Sequence, residues 1–213
     1  MGLVIIEARE QLSQGEKWLS RREPRFAAAL KATGPLPLRR RADGFSALLH
    51  AIVGQQVSLA AGDAIWKRLE TAGLTGPRKV AAATDAELRA CGLSRQKIRY
   101  ARCLAGAGIG YRRLRAATTE EVVDTLTEVS GIGRWTAEIY ALFALGHADA
   151  FAAGDLALQE SARILFDLDE RPRERDLREM ADHWSPWRGV AARLLWKYYH
   201  VSRESAAGGR ASA

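Results

Sequence analysis

Apolar and polar residues repeat along most of this chain with the period of an α-helix. Between Gly44 and Gly73, the apolar positions that form the stripes are Phe45, Leu48, Leu49, Ile52, Leu59, Ala60, Ile65, Trp66 and Leu69. Only the short run Leu3–Ile6 has the character of a β-strand. The pattern therefore predicts an all-α protein.

Residues that favour helix ends fall at the edges of these apolar segments. Thr84 is followed three positions later by Glu87, which is the pattern of a capping box. Asp155 precedes a helical segment that extends to Phe166, as an N-cap residue does. Ser185 and Pro186 have the pattern of an N-cap followed by proline at the first helical position.

A glycine turn joins two helical segments near the middle of the chain, in "LTEVSGIGRWTAEIYALFALG". Glycine tolerates positive φ angles, so successive backbone N–H groups around Gly131 and Gly133 can converge on an anion such as a phosphate. Arg134 adds a positive charge at the same place. A tight connection between two packed helices explains these three residues equally well when they are taken alone.

Composition narrows the class of protein and of partner. The 213 residues are 47% hydrophobic, which is typical of a globular protein. A net charge of +7 favours a polyanionic partner, either nucleic acid or an acidic membrane surface. Leu3–Ile6 is too short for the apolar core of a signal peptide, and no later segment has the length of a membrane span, so we expect a cytoplasmic protein.

The residues that bind metals are too few or badly spaced for a metal centre. Cys91 and Cys103 are the only cysteines, and two cannot hold a four-cysteine zinc or iron–sulfur site. The four histidines show no ligand spacing. We therefore expect reduced thiols, no catalytic metal and no iron–sulfur cluster.

Three separated motifs resemble the helix-hairpin-helix DNA glycosylase superfamily, and in particular its 3-methyladenine DNA glycosylase II family. They are "LLHAIVGQQVS" in the first half, "VSGIGRWTA" followed by "GHADAFAAGDLAL", and "HWSPWRGVAARLLW" near the end. The resemblance extends from about Phe26 to Tyr199. It implies two helical lobes, with the DNA and a flipped base held in the cleft between them.

The expected lobes follow from this resemblance. Residues 1–43 and 127–200 would form one lobe, which contains the hairpin, and residues 44–126 would form the middle lobe. The segment before Phe26 is too short for the extra N-terminal β domain of some family members. The small and polar residues 201–213 predict a disordered tail.

The resemblance assigns the chemistry to Asp155, which lies where the family has its catalytic aspartate. A carboxylate stabilises the positive charge that develops on the sugar when an N-glycosidic bond breaks. The implied function is removal of alkylated purines, such as 3-methyladenine and 7-methylguanine, in base excision repair. Asp155 as a plain helix N-cap is compatible with this function.

Other positions acquire roles from the same resemblance. Trp135 replaces the lysine with which bifunctional members form a Schiff base, so it implies a hydrolase without lyase activity. Trp135, Ile139 and Trp196 would form the pocket for the extruded base. Gln56, in the "GQQVS" loop, would fill the gap in the duplex, although some relatives have an apolar residue there.

The hairpin would bind the DNA backbone through Gly131, Gly133 and Arg134. Family members commonly bind a monovalent cation here, and the matching main-chain carbonyls are those of Thr127, Val129 and Ile132. The expected partner is double-stranded DNA with alkylated bases, bound by a monomer that needs no cofactor for catalysis. Two alternatives remain open, namely a non-catalytic DNA-binding protein that recognises damage and a glycosylase for oxidised or mismatched bases.

Overall fold

The computed structural model describes the backbone of residues 2–210 and the side chains through Glu204, and it is almost entirely helical. The first seven helices are α1 (Arg9–Arg22), α2 (Pro24–Thr33), α3 (Phe45–Gly54), α4 (Leu59–Thr71), α5 (Pro77–Ala82), α6 (Asp85–Ala90) and α7 (Arg95–Gly106). They are followed by α8 (Tyr111–Leu114), α9 (Thr119–Thr127), α10 (Arg134–Tyr140), a π-helical turn (Ala141–Leu145), α11 (Leu156–Phe166), α12 (Glu174–Asp182) and α13 (Arg188–Arg210). The described residues contain no β-strand, and Ile5 forms a single antiparallel bridge with His147. The predicted all-α class is confirmed.

The local signals for helix ends were mostly correct. Thr84 and Glu87 form the predicted capping box, and the Asp155 side chain caps α11. The prediction for α13 was wrong, because this helix begins at Arg188 rather than at Pro186. The Ser185 hydroxyl does not cap it and instead donates to Asp149 Oδ2 at 2.9 Å.

The stripe assigned to α4 was only partly correct. Ile65 and Leu69 are buried as expected, together with Gly62. Leu59, the first residue of α4, is 89% exposed, and Ala60 is exposed as well, so the buried stripe begins only at Gly62.

The chain divides into two compact units, residues 1–40 with 141–213 and residues 41–140. The sequence placed the second boundary at 126/127 and so assigned the hairpin to the unit formed by the chain ends. The hairpin belongs instead to the middle unit, because α10 packs against α9 and α3. The helical periodicity of the two arms gave no information on their packing partners.

The C-terminal segment also differs from its prediction. Residues 201–210 continue α13 as a helix, whereas residues 211–213 lie outside the described part of the chain. Extension of an existing helix requires no new nucleation, so polar residues that would not start a helix can prolong one. No helix in residues 2–210 has both the length and the apolar character that a membrane crossing requires.

Candidate functional site

Three hydrogen bonds to the Asp155 side chain converge on its Oδ1 atom. The backbone N–H groups of Ala157 and Leu158 donate to it at 2.9 and 3.1 Å, as expected of an N-cap. The indole Nε1 of Trp196, on α13, donates to the same oxygen at 3.0 Å. The carboxylate is partly exposed and is therefore both fixed and accessible.

A second aromatic ring extends this arrangement. The ring centroid of Phe143 lies 5.7 Å from that of Trp196, with the two planes tilted by 30°. Phe143 is at the centre of the π-helical turn, a local irregularity that changes the direction of side chains and is frequent at functional sites. This turn could not be predicted, because "ALFALG" has the apolar pattern of an ordinary helix.

A buried arginine lies behind this aromatic pair. Arg193 is 6% exposed, and its guanidinium carbon lies 4.5 Å from the centroid of the Phe143 ring. Its Nη1 and Nη2 atoms donate to the carbonyls of Arg39 and Leu142 at 3.1 and 3.0 Å. Burial, together with the charges of Arg40 and Arg39, lowers the pKa of Arg193 to about 10, so the side chain stays charged at neutral pH. We refer to Asp155, Trp196, Phe143 and Arg193 as the carboxylate cluster.

The loop that leads to Asp155 is fastened to α13 by an ion pair. Arg188 Nη2 lies 2.7 Å from Asp149 Oδ2, and both Arg188 Nε and the Arg188 backbone N–H donate to Oδ1. This contact explains the arginine of the "WSPWR" motif structurally. Trp184 and Trp187 are buried, as expected of packing residues.

The hairpin, residues 127–140, lies in the unit formed by residues 41–140. Gly131 has a φ of +98°, and a Cβ atom built there would lie 2.3 Å from Cγ of Tyr100. Gly133 is exposed, and a Cβ atom built there would meet nothing within 4 Å. Gly131 is therefore required by its backbone angle and by the contact with Tyr100, whereas at Gly133 the missing side chain leaves the backbone open to solvent.

The "GQQVS" loop is bonded to this turn. Gln55 Nε2 donates to the carbonyl of Gly131 at 2.9 Å. Gln56 is exposed and has a φ of +56°, which is uncommon for a residue other than glycine. Both residues line a groove of about 540 Å³, to which Gly131 and Gly133 also contribute. The structure thus brings Gln56 and the hairpin glycines to one groove.

The other predicted side chains of the hairpin, those of Arg134, Trp135 and Ile139, also belong to the unit formed by residues 41–140. Arg134 bonds two carboxylates, with Nη2 3.0 Å from Glu120 Oε1 and Nε 3.0 Å from Glu138 Oε1, so its charge is compensated inside the protein. Trp135 is 46% exposed, and Ile139 is half-buried.

The carbonyls matched to a cation site belong to Thr127, Val129 and Ile132. The Val129 carbonyl already accepts the Ile132 N–H at 3.0 Å, which leaves its second lone pair for another partner. Among the residues that the structure describes, no cluster of histidine, cysteine or acidic side chains could hold a metal ion.

These features define the class of protein. The sequence model of the HhH-GPD superfamily base excision DNA repair proteins matches residues 49–186, and the chain belongs to this superfamily. The matched segment contains both the hairpin and Asp155. The resemblance to the helix-hairpin-helix glycosylases is therefore confirmed.

Individual relatives narrow the comparison. The chain is 28% identical to DNA-3-methyladenine glycosylase 1 of Schizosaccharomyces pombe, over 90% of this chain and 91% of the relative. A crystal structure of a DNA-3-methyladenine glycosidase from Bacillus halodurans superposes with a TM-score of 0.82 at 29% identity, covering 96% of this chain and 95% of that one. The S. pombe 3-methyladenine DNA glycosylase Mag1, solved in complex with abasic DNA, gives a TM-score of 0.76 at 27% identity and covers 86% and 95%.

Proposed function

We propose that this protein is a monofunctional DNA glycosylase, which hydrolyses the N-glycosidic bond of alkylated purines of the 3-methyladenine and 7-methylguanine type and leaves an abasic site. The observation that carries this proposal is the fixed and accessible carboxylate of Asp155, beside the indole of Trp196. The relatives named as 3-methyladenine glycosylases support the same activity.

Asp155 acts in this proposal on the charge of the transition state. The sugar becomes positively charged as the bond to the base breaks, and a pre-oriented carboxylate lowers the energy of that state. The same group orients or deprotonates the attacking water. A base alkylated at N3 or N7 is already cationic and leaves as a neutral molecule, so a single carboxylate is sufficient.

In this proposal, the unit formed by residues 41–140 recognises the DNA. Backbone N–H groups at Gly131 and Gly133 bind a phosphate of the duplex, and Gln56 enters the space left by the extruded nucleotide. Because the Arg134 side chain is paired with Glu120 and Glu138, we assign it a smaller share of phosphate binding than its charge alone suggests. We also assign recognition of the extruded base to Trp135 and Ile139 in this unit and to Trp196 in the other.

The absence of lyase activity is proposed from the residue at position 135. Trp135 has no amine, so it cannot form the Schiff base that strand cleavage requires. A monovalent cation on the carbonyls of Thr127, Val129 and Ile132 stays a prediction, as do the monomeric state and the cytoplasmic location. The cation, the oligomeric state and the location do not enter the chemical step.

The test is base release from methylated duplex DNA by the wild-type protein and Asp155→Asn. Asparagine caps a helix about as well as aspartate, and its Oδ1 can accept the two backbone N–H bonds of the cap, so the fold should be unchanged. Loss of the negative charge should slow excision by at least about a hundredfold. Chromatography identifies the released bases, and a gel run with and without alkali shows whether the strand is cut.

Equal loss of DNA binding and of excision in Asp155→Asn would make Asp155 a structural residue and contradict the proposal. Release of no base by the wild type, with duplex binding intact, would instead favour a non-catalytic DNA-binding protein. Strand breaks without alkali, or trapping of the protein on DNA by borohydride, would contradict monofunctional chemistry.

A further inference from the structure

Leu59 is the most exposed of the large apolar side chains that the structure describes. It is 89% exposed, and Val57, two positions earlier, is 38% exposed. A single exposed leucine is ordinary on a protein surface. This one, however, occupies the first position of α4, where a helix favours proline or an acidic residue. Leu59 therefore contributes little to the fold, and its side chain is open to a ligand.

The loop before Leu59 is fastened at both of its ends. At its start, Lys97 Nζ on α7 donates to the carbonyl of Val53 at 2.7 Å and so holds the end of α3. At its end, the Ser58 hydroxyl accepts the Ala61 N–H at 3.3 Å and caps α4. A ligand that meets Leu59 thus meets a preformed backbone, which lowers the entropic cost of binding.

Leu59 also adjoins the groove in which the proposed function places the DNA. Gln56 and Val57 line this groove together with the hairpin glycines. Side chains on a helix lean toward its N-terminus, so Leu59 extends over the loop formed by residues 55–58 rather than along α4. Its apolar surface is therefore directed toward the end of the groove that Gln56 and Val57 form.

A duplex from which one nucleotide has been extruded offers an apolar surface at such a place. The flanking base pairs lose a stacking partner, and ring faces that were covered become open to water. Apolar side chains inserted at an unstacked step replace the lost contacts and hold the duplex bent. Gln56 is polar and supplies little apolar area, whereas Leu59 supplies a whole aliphatic side chain. An intact, stacked duplex presents no comparable surface.

We propose that Leu59 is a second wedge residue, which packs on a base pair that flanks the extruded nucleotide while Gln56 occupies the gap itself. Leu59 takes no part in the chemical step. It is a positioning residue, because it acts by keeping the nucleotide out of the stack. The inference rests on the glycosylase function proposed above and adds an apolar contact to its recognition of DNA.

The experiment measures the Kd of each protein for two duplexes of the same sequence, one intact and one with a tetrahydrofuran analogue of an abasic site. The analogue carries no base, so its binding is independent of catalysis. Leu59→Ala removes most of the apolar area that the wedge buries, which corresponds to about a tenfold change in Kd. The preference for the analogue duplex should therefore fall about tenfold, whereas the Kd for the intact duplex should stay the same.

Two further variants separate the wedge from a general change of surface. Leu59→Met keeps an apolar side chain of similar volume and should retain the preference of the wild type. Leu3→Ala removes an exposed leucine from the other unit and should leave both Kd values unchanged. Because Leu59 is exposed and alanine favours helices, Leu59→Ala should unfold at the same urea concentration as the wild type.

An unchanged preference in Leu59→Ala would overturn the proposal, and so would an equal weakening for both duplexes. The loss should persist between about 50 and 200 mM salt, because no phosphate contact is removed. A loss that disappears at the higher salt would contradict an apolar wedge. If the wild type releases no base but shows the preference that depends on Leu59, the glycosylase function fails and the wedge is supported.

Discussion

The hairpin and the carboxylate cluster present different parts of the chain to a ligand. At the hairpin turn, Ile132 is buried and the Arg134 side chain is paired with carboxylates, whereas the backbone at Gly133 is exposed. In the carboxylate cluster, side chains carry the function, because Trp196 orients Asp155. We therefore expect substitutions at the hairpin to act on folding and DNA affinity, and substitutions in the cluster to act on the chemical step.

The largest effect on stability is expected at Gly131. In Gly131→Ala, the new methyl group meets Cβ and Cγ of Tyr100 at 2.7 and 2.3 Å, and the backbone has a φ of +98°. Overpacking and left-handed strain together should lower the free energy of unfolding by about 2–4 kcal/mol. Urea denaturation measures this change.

Gly133→Ala is the matched control in the same turn. Its methyl group meets no atom within 4 Å, so the free energy of unfolding should stay within about 0.5 kcal/mol of the wild type. DNA binding should weaken by about tenfold, because the methyl group separates the backbone from a phosphate. Equal destabilisation by the two variants would contradict the distinction between Gly131, which packs against Tyr100, and Gly133, which is open to solvent.

A second effect on stability should depend on pH, through a buried histidine of the unit that contains Asp155. His147 lies in the loop before Asp155 and is fully buried, and its burial, together with the charge of Arg40, lowers its pKa to about 4. Below pH 6.5 the unfolded chain binds a proton that the folded protein refuses until about pH 4. The free energy of unfolding should thus fall by up to about 3 kcal/mol as the pH is lowered from 6.5 to 4. Above pH 6.5 the stabilisation that comes from neutral His147 is complete.

Chemical denaturation between pH 4 and 7 measures this dependence. His147→Asn should flatten the curve across that interval, although the variant starts from a lower stability. His183→Asn changes an exposed histidine in the same unit and should leave the slope as it is. An unchanged slope in His147→Asn would assign the acid sensitivity to other groups.

The sequence predicted the features that depend on local signals. The caps at Thr84 and Asp155, the glycine turn and the order of the helices all follow from a few neighbouring residues. Asp155 could be selected because an N-cap carboxylate after a glycine hairpin combines a structural signal with a family motif.

The features that depend on packing could not be predicted. The boundary at 140/141 reflects which helices the hairpin contacts, and no periodicity records that. Phe143 acquires its direction from a π-helical turn with an ordinary apolar sequence. Arg193 occupies an apolar stretch, "VAARLLW", where its burial follows from carbonyl partners distant in the chain.

The smallest expected effect tests how the carboxylate cluster works. Trp196→Phe removes the Nε1 donor to Asp155 but leaves a ring beside Phe143. Asp155 keeps two backbone donors, so the loss of one hydrogen bond to a charged group should slow single-turnover excision by about tenfold. Affinity for undamaged duplex DNA should be unchanged, because the hairpin is intact.

Trp187→Phe is the control, since Trp187 is a buried packing residue that directly precedes α13. It should lower the melting temperature without slowing excision by the folded protein. If Trp196→Phe and Trp187→Phe slowed excision equally, Trp196 would act through packing alone. The cluster would then resemble the hairpin turn at Gly131, where side-chain volume rather than a polar contact decides the outcome.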